Sequence, residues 1–124
     1  MNRRVLIVDD DQEVLDFMRT LLDLEGIEAV PAGDASAALQ ELQGGRVALV
    51  LLDVAMPGVD GLQLCRQIKT NAGFGKIPVV IVSARPGQHV ESEALAAGAD
   101  EFLRKPFDND ELLQLVRSKI PPPA

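Results

Sequence analysis

Apolar residues along this chain gather in three short unbroken runs: VLIV (Val5–Val8), VALVLL (Val47–Leu52) and VVIV (Val79–Val82). None of them alternates with polar residues. A brief, continuous run rich in β-branched residues fits a strand covered on both faces, as in a parallel sheet. IEAVPA (Ile27–Ala32) and EFLRK (Glu101–Lys105) are weaker strand candidates. Segments with helical spacing lie between the runs. Asp11–Gly26 puts Val14, Leu15, Met18, Leu21 and Leu22 on one stripe and stops at the glycine. Asp34–Gly45 predicts a shorter helix, capped by Asp34 and ended by Gly44 and Gly45. Asp60–Thr70 opens with Gln63 three residues after Asp60, the spacing of a capping box, and Asp108–Ile120 repeats that spacing with Glu111. Gly87–Gly98 supplies the remaining helix, and Pro121 follows the last one.

Strand and helix thus alternate five times. That order predicts parallel βαβ units with right-handed crossovers, and so an α/β domain built on an open, doubly wound, five-stranded parallel sheet with helices on both faces. One domain is expected over residues 1–119, with 120–124 a stiff Pro-rich tail or the start of a linker. In such sheets ligands bind beyond the carboxyl ends of the strands. The first predicted strand runs into Asp9, Asp10 and Asp11, the third into Asp53, the fourth into Ser83 and the fifth into Lys105. Each has a plainer explanation. Asp10 with Glu13 makes a capping box, Asp53 precedes a Pro-Gly turn, Ser83 satisfies strand-end backbone and Lys105 is a solvated lysine. Four such groups at one edge are harder to explain separately. Two carboxylates about 4 Å apart repel by roughly 4 kcal/mol at an effective dielectric near 20. Clustered acids therefore take up protons or recruit a cation, and oxygen donors beside open positions suit Mg²⁺. With a lysine near by, such a site is built to receive a dianion, and Asp53 is a candidate nucleophile towards phosphorus.

Composition narrows the field. The 124 residues are 47% apolar, enough for a core without disulfides. The single cysteine, Cys65, cannot pair within the chain, fits a reducing compartment, and reads most simply as a small core residue. A net charge of −7, no Trp or Tyr and only four Phe argue against direct nucleic-acid contact. The apolar stretch after Arg3 and Arg4 is too short for a signal peptide, and no stretch is long enough to span a membrane. A soluble, cytoplasmic protein is expected.

The motifs VLIVDDD, LVLLDVAMPGVDG, PVVIVSA and DEFLRKPF, in this order and spacing, resemble the receiver domain of bacterial two-component response regulators over essentially the whole chain. The resemblance implies the flavodoxin-like (βα)5 fold. It implies Asp53 as phosphoacceptor, and Asp9, Asp10, Asp53 and the backbone carbonyl of Ala55 as the Mg²⁺ site. Ser83 would hydrogen-bond a phosphoryl oxygen, Lys105 would salt-bridge the phosphoryl group, and the Lys105–Pro106 bond would be cis. Phe102 falls at an aromatic switch position. The phosphoryl group would come from a phosphohistidine on a sensor histidine kinase or histidine phosphotransfer protein. The domain would catalyse its own phosphorylation and slow dephosphorylation without being a turnover enzyme. Its α4-β5-α5 face would then act on an output domain or target protein, with a phosphorylation-dependent dimer one mode of output.

Some positions set this chain apart. Phe102 lacks a hydroxyl, Ala55 has no polar side chain, and Arg85 places a cation near Ser83; the latter two positions are expected to tune the lifetime of the acyl phosphate. Leu115 stands where many winged-helix regulators carry an arginine used in dimerisation. The alternative function is a degenerate receiver, a binding module without phosphotransfer, but Asp9, Asp10, Asp53, Ser83 and Lys105 are all present. A haloacid-dehalogenase-type phosphatase would need an Asp where Ala55 stands. His89, the sole histidine, reads as a surface residue of the fourth helix.

Overall fold

The structure is a computed structural model, and it describes residues 4–53, 61–84 and 89–121, the side chains of His89 and Val90 excepted. The chain runs β1 (Arg4–Val8), α1 (Gln12–Leu24), β2 (Ala29–Ala32), α2 (Ala35–Gln43), β3 (Val47–Asp53), α3 (Gly61–Lys69), β4 (Val79–Ser83), α4 (His89–Ala96), β5 (Glu101–Arg104) and α5 (Asn109–Lys119). The five strands form one sheet in the order β2-β1-β3-β4-β5, and every pairing is parallel. The expected doubly wound architecture is therefore the observed one.

The unbroken apolar runs follow from two-sided burial. Along β1, Val5 and Ile7 face one core while Leu6 and Val8 face the other. α1 and α5 cover the first side with Leu15, Met18, Leu22, Leu112, Leu113 and Val116. α2, α3 and α4 cover the second with Ala38, Leu42, Leu62, Leu64, Cys65, Ile68, Ala94 and Ala97. Strand order reverses direction between β1 and β3, so a crevice opens where the crossovers leave to opposite sides. Asp9 and Asp53 stand at that crevice, at the ends of β1 and β3.

Local chemistry sets the element ends. Asp34 caps α2 by accepting a bond from the Ala37 amide, and Asp108 with Glu111 forms both arms of a capping box on α5. The Asp60 cap lies outside the described residues. The Asp10–Glu13 capping box is not formed: Asp11 caps α1 instead, its carboxylate accepting from the Glu13 amide at 3.0 Å. Asp10 is left exposed and free of that duty. β2 starts at Ala29 rather than Ile27, because Ile27 closes α1: its amide reaches the Leu22 carbonyl while Gly26, at φ 74°, reaches that of Asp23. Pro31 sits on this edge strand with its missing N–H turned away from β1, since Glu28 and Ala32 are the residues whose carbonyls face it.

Cys65 is fully buried in α3, and burial pushes its thiol up from 9.0 to about 11, with Lys69 pulling the other way. At pH 8 a disulfide reagent is expected to modify the unfolded chain promptly and the folded chain only as it opens. Because the folded thiol holds its proton more tightly, its contribution to stability is complete below pH 9.0 and fades as pH rises towards about 11. Stability that is flat between pH 8 and 11, measured by denaturant titration against a Cys65→Ala control, would contradict this.

Candidate functional site

Three consecutive aspartates leave β1, and the turn gives each a different task. Asp9 is almost entirely buried, at 3% exposure. One of its oxygens accepts from the Asp11 amide at 3.0 Å, and the other faces Lys105 Nζ at 3.4 Å. Asp10 is exposed, and Asp11 is the helix cap. β3 delivers Asp53 alongside, in register with Val82 of β4. One carboxylate oxygen from each of Asp9, Asp10 and Asp53 lies within 4.8 Å of the other two.

The other edge residues arrive by the same logic. Ser83 ends β4, is fully buried, and opposes Arg104 of β5. Its carbonyl accepts from the Lys105 amide at 2.9 Å, which ties the start of the β5–α5 turn to β4. The Lys105–Pro106 peptide is cis. Among the described residues no buried side-chain nitrogen or oxygen lacks a partner. Among the described residues, one lysine meets three carboxylates, an excess of negative charge that attracts cations. Ala55 and Arg85 lie outside the described residues.

The donor set fits a hard divalent ion. Around Mg²⁺, oxygens at about 2.0–2.1 Å sit at most about 4.2 Å apart, so the three carboxylates need only small rotations to converge. The exposure of Asp10 leaves room for water in the remaining positions. Asp9, with one oxygen pinned by backbone and the other by Lys105, is positioned before any ion arrives.

Two features flank this hollow. An apolar groove of about 660 Å³ runs from α1 to the β5–α5 turn, lined by Val14, Phe17, Met18, Ala84, Pro106 and Phe107. Phe17 is 53% exposed there. By spacing it continues the stripe of Val14 and Leu21, so its exposure is not signalled in the sequence. On the opposite side of the sheet edge, Phe102 is half-buried against the α2–α4 core, and the Arg104 guanidinium stands 5.4 Å from its ring centroid. Leu115 is half-buried on α5. His89 opens α4.

With the geometry in hand, comparison with known proteins places the chain. The family model for the response regulator receiver domain matches residues 5–117, and the chain belongs to that family. It is 34% identical over 120 residues to the DNA-binding response regulator MtrA of Mycolicibacterium smegmatis, covering 97% of this chain and 51% of that protein. It is 30% identical over 118 residues to Protein PilG of Pseudomonas aeruginosa, covering 95% of this chain and 87% of PilG. The solved signal receiver domain of a response regulator from Bermanella marisrubri superposes with a TM-score of 0.88 at 30% identity, covering 96% of this chain and 98% of that one. The chain thus spans about half the length of MtrA and most of PilG. Among the described residues no helix is long and apolar enough to cross a membrane.

If the three carboxylates act as one cation site, Mn²⁺ titration followed by paramagnetic line broadening should detect a single ion. Replacing Asp10 or Asp53 by Asn should each weaken binding about tenfold or more. Asp11→Asn, which alters only the cap, should leave the affinity within about twofold. Equal losses at Asp10 and Asp11 would mean a diffuse acidic surface and no site.

Proposed function

We propose that this domain is a phosphorylation-activated switch in which Asp53 accepts a phosphoryl group from a phosphohistidine on a partner protein. The observation that carries the reading is the meeting of Asp9, Asp10 and Asp53 within 4.8 Å at the carboxyl edge, with Lys105 paired to Asp9. An oxygen of Asp53 attacks phosphorus in line with the P–N bond. That bond breaks, the imidazole departs with the electron pair, and a mixed carboxylic–phosphoric anhydride remains on Asp53. Asp9, Asp10 and Asp53, with the backbone carbonyl that the family resemblance assigns to Ala55, would hold Mg²⁺, which would neutralise charge on the phosphoryl oxygens. Lys105 then exchanges part of its pairing with Asp9 for the new dianion, and the Ser83 hydroxyl donates to a phosphoryl oxygen. Hydrolysis is the same displacement with water as nucleophile, releasing inorganic phosphate. Ala55 and Arg85 are the positions expected to tune how long the acyl phosphate lasts.

The donor is a sensor histidine kinase or histidine phosphotransfer protein. The groove around Phe17 is its seat: it abuts Lys105, and an aromatic side chain half open to solvent is the kind of anchor a partner helix buries. The output runs through the α4-β5-α5 face. A dianion at Asp53 draws Ser83 inward, Phe102 follows into the space released, and the face changes shape for an output domain or target protein, or for a second copy. Phe102 has no hydroxyl, so its burial and its stacking under Arg104 decide where it rests. The domain works in the cytoplasm, where its donor's phosphohistidine forms. A degenerate receiver has no observation in its favour.

Incubation with acetyl phosphate and Mg²⁺ should add one phosphoryl group, read by intact mass. Asp53→Asn or EDTA should abolish the addition, and Lys105→Met should reduce it by about 10²-fold or more. Undiminished labelling of Asp53→Asn would place the acceptor elsewhere, and an unlabelled native chain would favour the degenerate module.

A further inference from the structure

The five helices are not held equally. α1, α3 and α5 each bury several large apolar side chains, and α2 buries Leu42 beside Ala38. α4 has only Ala94 and Ala97, at its C-terminal end, buried among its described side chains and the residue that follows it. Glu91, Ser92, Glu93, Leu95 and Ala96 are all exposed. Its described side chains give this helix little apolar purchase on the sheet.

Polar contacts secure one of its ends. α4 closes at Gly98, φ 98°, with the Ala99 amide reaching the Ala94 carbonyl and the Gly98 amide that of Leu95. Asp100 follows. Its amide donates to the Val79 carbonyl at 2.8 Å, and its Oδ2 accepts from the Val79 amide at 2.8 Å. The same oxygen accepts from Lys69 Nζ at 2.9 Å, and Nζ also donates to the Ile77 carbonyl at 2.9 Å. Lys69 lies at the end of α3, and its stem runs under Gly98 so closely that a Cβ there would meet Lys69 Cβ and Cγ at 3.2 Å. Its side chain is only 17% exposed. Three elements are thereby locked at the amino edge of the sheet: the end of α3, the start of β4 and the corner between α4 and β5. The opposite end of α4 follows Ser83, at the carboxyl edge where the acidic hollow lies.

We propose that the Lys69–Asp100–Val79 junction is the pivot on which α4 turns when Asp53 is charged, with Lys69 its positioning residue. The inference rests on Asp53 being the phosphoacceptor. A helix clamped at the end remote from the charge, with Glu91, Ser92, Glu93 and Leu95 open to solvent, moves as a lever. Displacement is largest at His89 and vanishes at Asp100. Lys69 touches no reacting atom; it fixes the point about which the output face tilts.

The test is amide hydrogen exchange across α4, with and without Mg²⁺ and beryllofluoride, a phosphoryl mimic whose binding is followed by fluorine NMR. In the native chain, exchange should change in the first turn of α4 and stay within about twofold at Ala97, Gly98, Ala99 and Asp100. In Lys69→Met, which keeps the stem under Gly98, those four amides should exchange about tenfold faster or more, and the response to the mimic should spread to them. Asp100→Asn retains an acceptor for the Val79 amide and should do the same to a smaller degree, which guards against a misfolded Lys69 variant. An equal response at both ends of α4 in the native chain, or unaltered corner exchange in both variants, would overturn the pivot while leaving the acceptor intact. Failure of the mimic to bind would overturn the acceptor and the pivot together.

Discussion

Mutual repulsion among three carboxylates is the constraint on which this structure turns. Asp9, Asp10 and Asp53 gain nothing from each other's company, and with one oxygen of each within 4.8 Å of the others their repulsion opposes folding unless a cation intervenes. They are held together because the strands that carry them are buried on both faces. β1 and β3 are neighbours in the centre of the sheet, and their side chains anchor two cores at once. Hydrophobic burial thus supplies the free energy that keeps like charges adjacent. Lys105 offsets part of the repulsion through Asp9, and the remaining negative charge is what makes the hollow receptive to a divalent ion.

That arrangement also explains how one covalent event can alter a distant surface. The groups at the carboxyl edge belong to different strands, so under the proposed function a dianion on Asp53 would act on several elements at once. Ser83 continues towards α4, and Lys105 begins the turn into α5. Most of the fold is too well packed to yield. α4, tied at its far corner through Lys69 and Asp100, is the helix with least apolar burial among the described side chains. A switch of the proposed kind needs one weakly held part on a rigid frame.

Much of this was legible in the sequence because two-sided burial leaves a plain mark. VLIV, VALVLL and VVIV are unbroken where a one-sided strand would alternate, and the strand ends name the residues that meet at the edge. Other features were illegible for physical reasons. In a run of three aspartates, nothing in composition says which one caps the helix; turn geometry chose Asp11 and left Asp10 to the solvent. Ile27 is as β-prone as any strand residue, yet it closes α1, because Gly26 reverses the chain just before it. Lys69 and Asp100 are 31 residues apart, and although Asp100 opens the DEFLRKPF motif, Lys69 belongs to none, so nothing in the sequence pairs them. Their pairing exists only once α3 and the α4–β5 corner have been brought to the same edge. Phe17 has the spacing of a core residue of α1, and only the structure shows it exposed beside Lys105.

The central claim is that Asp53, and no other side chain, is the attacking group within this hollow. Phosphorylating the chain in Mg²⁺, reducing the product with borohydride and mapping the peptides tests it most directly, since hydride converts an aspartyl phosphate to homoserine. The account predicts homoserine at position 53 alone. Homoserine at position 9 or 10, or a phosphoryl group retained on His89 or on a hydroxyl, would contradict it.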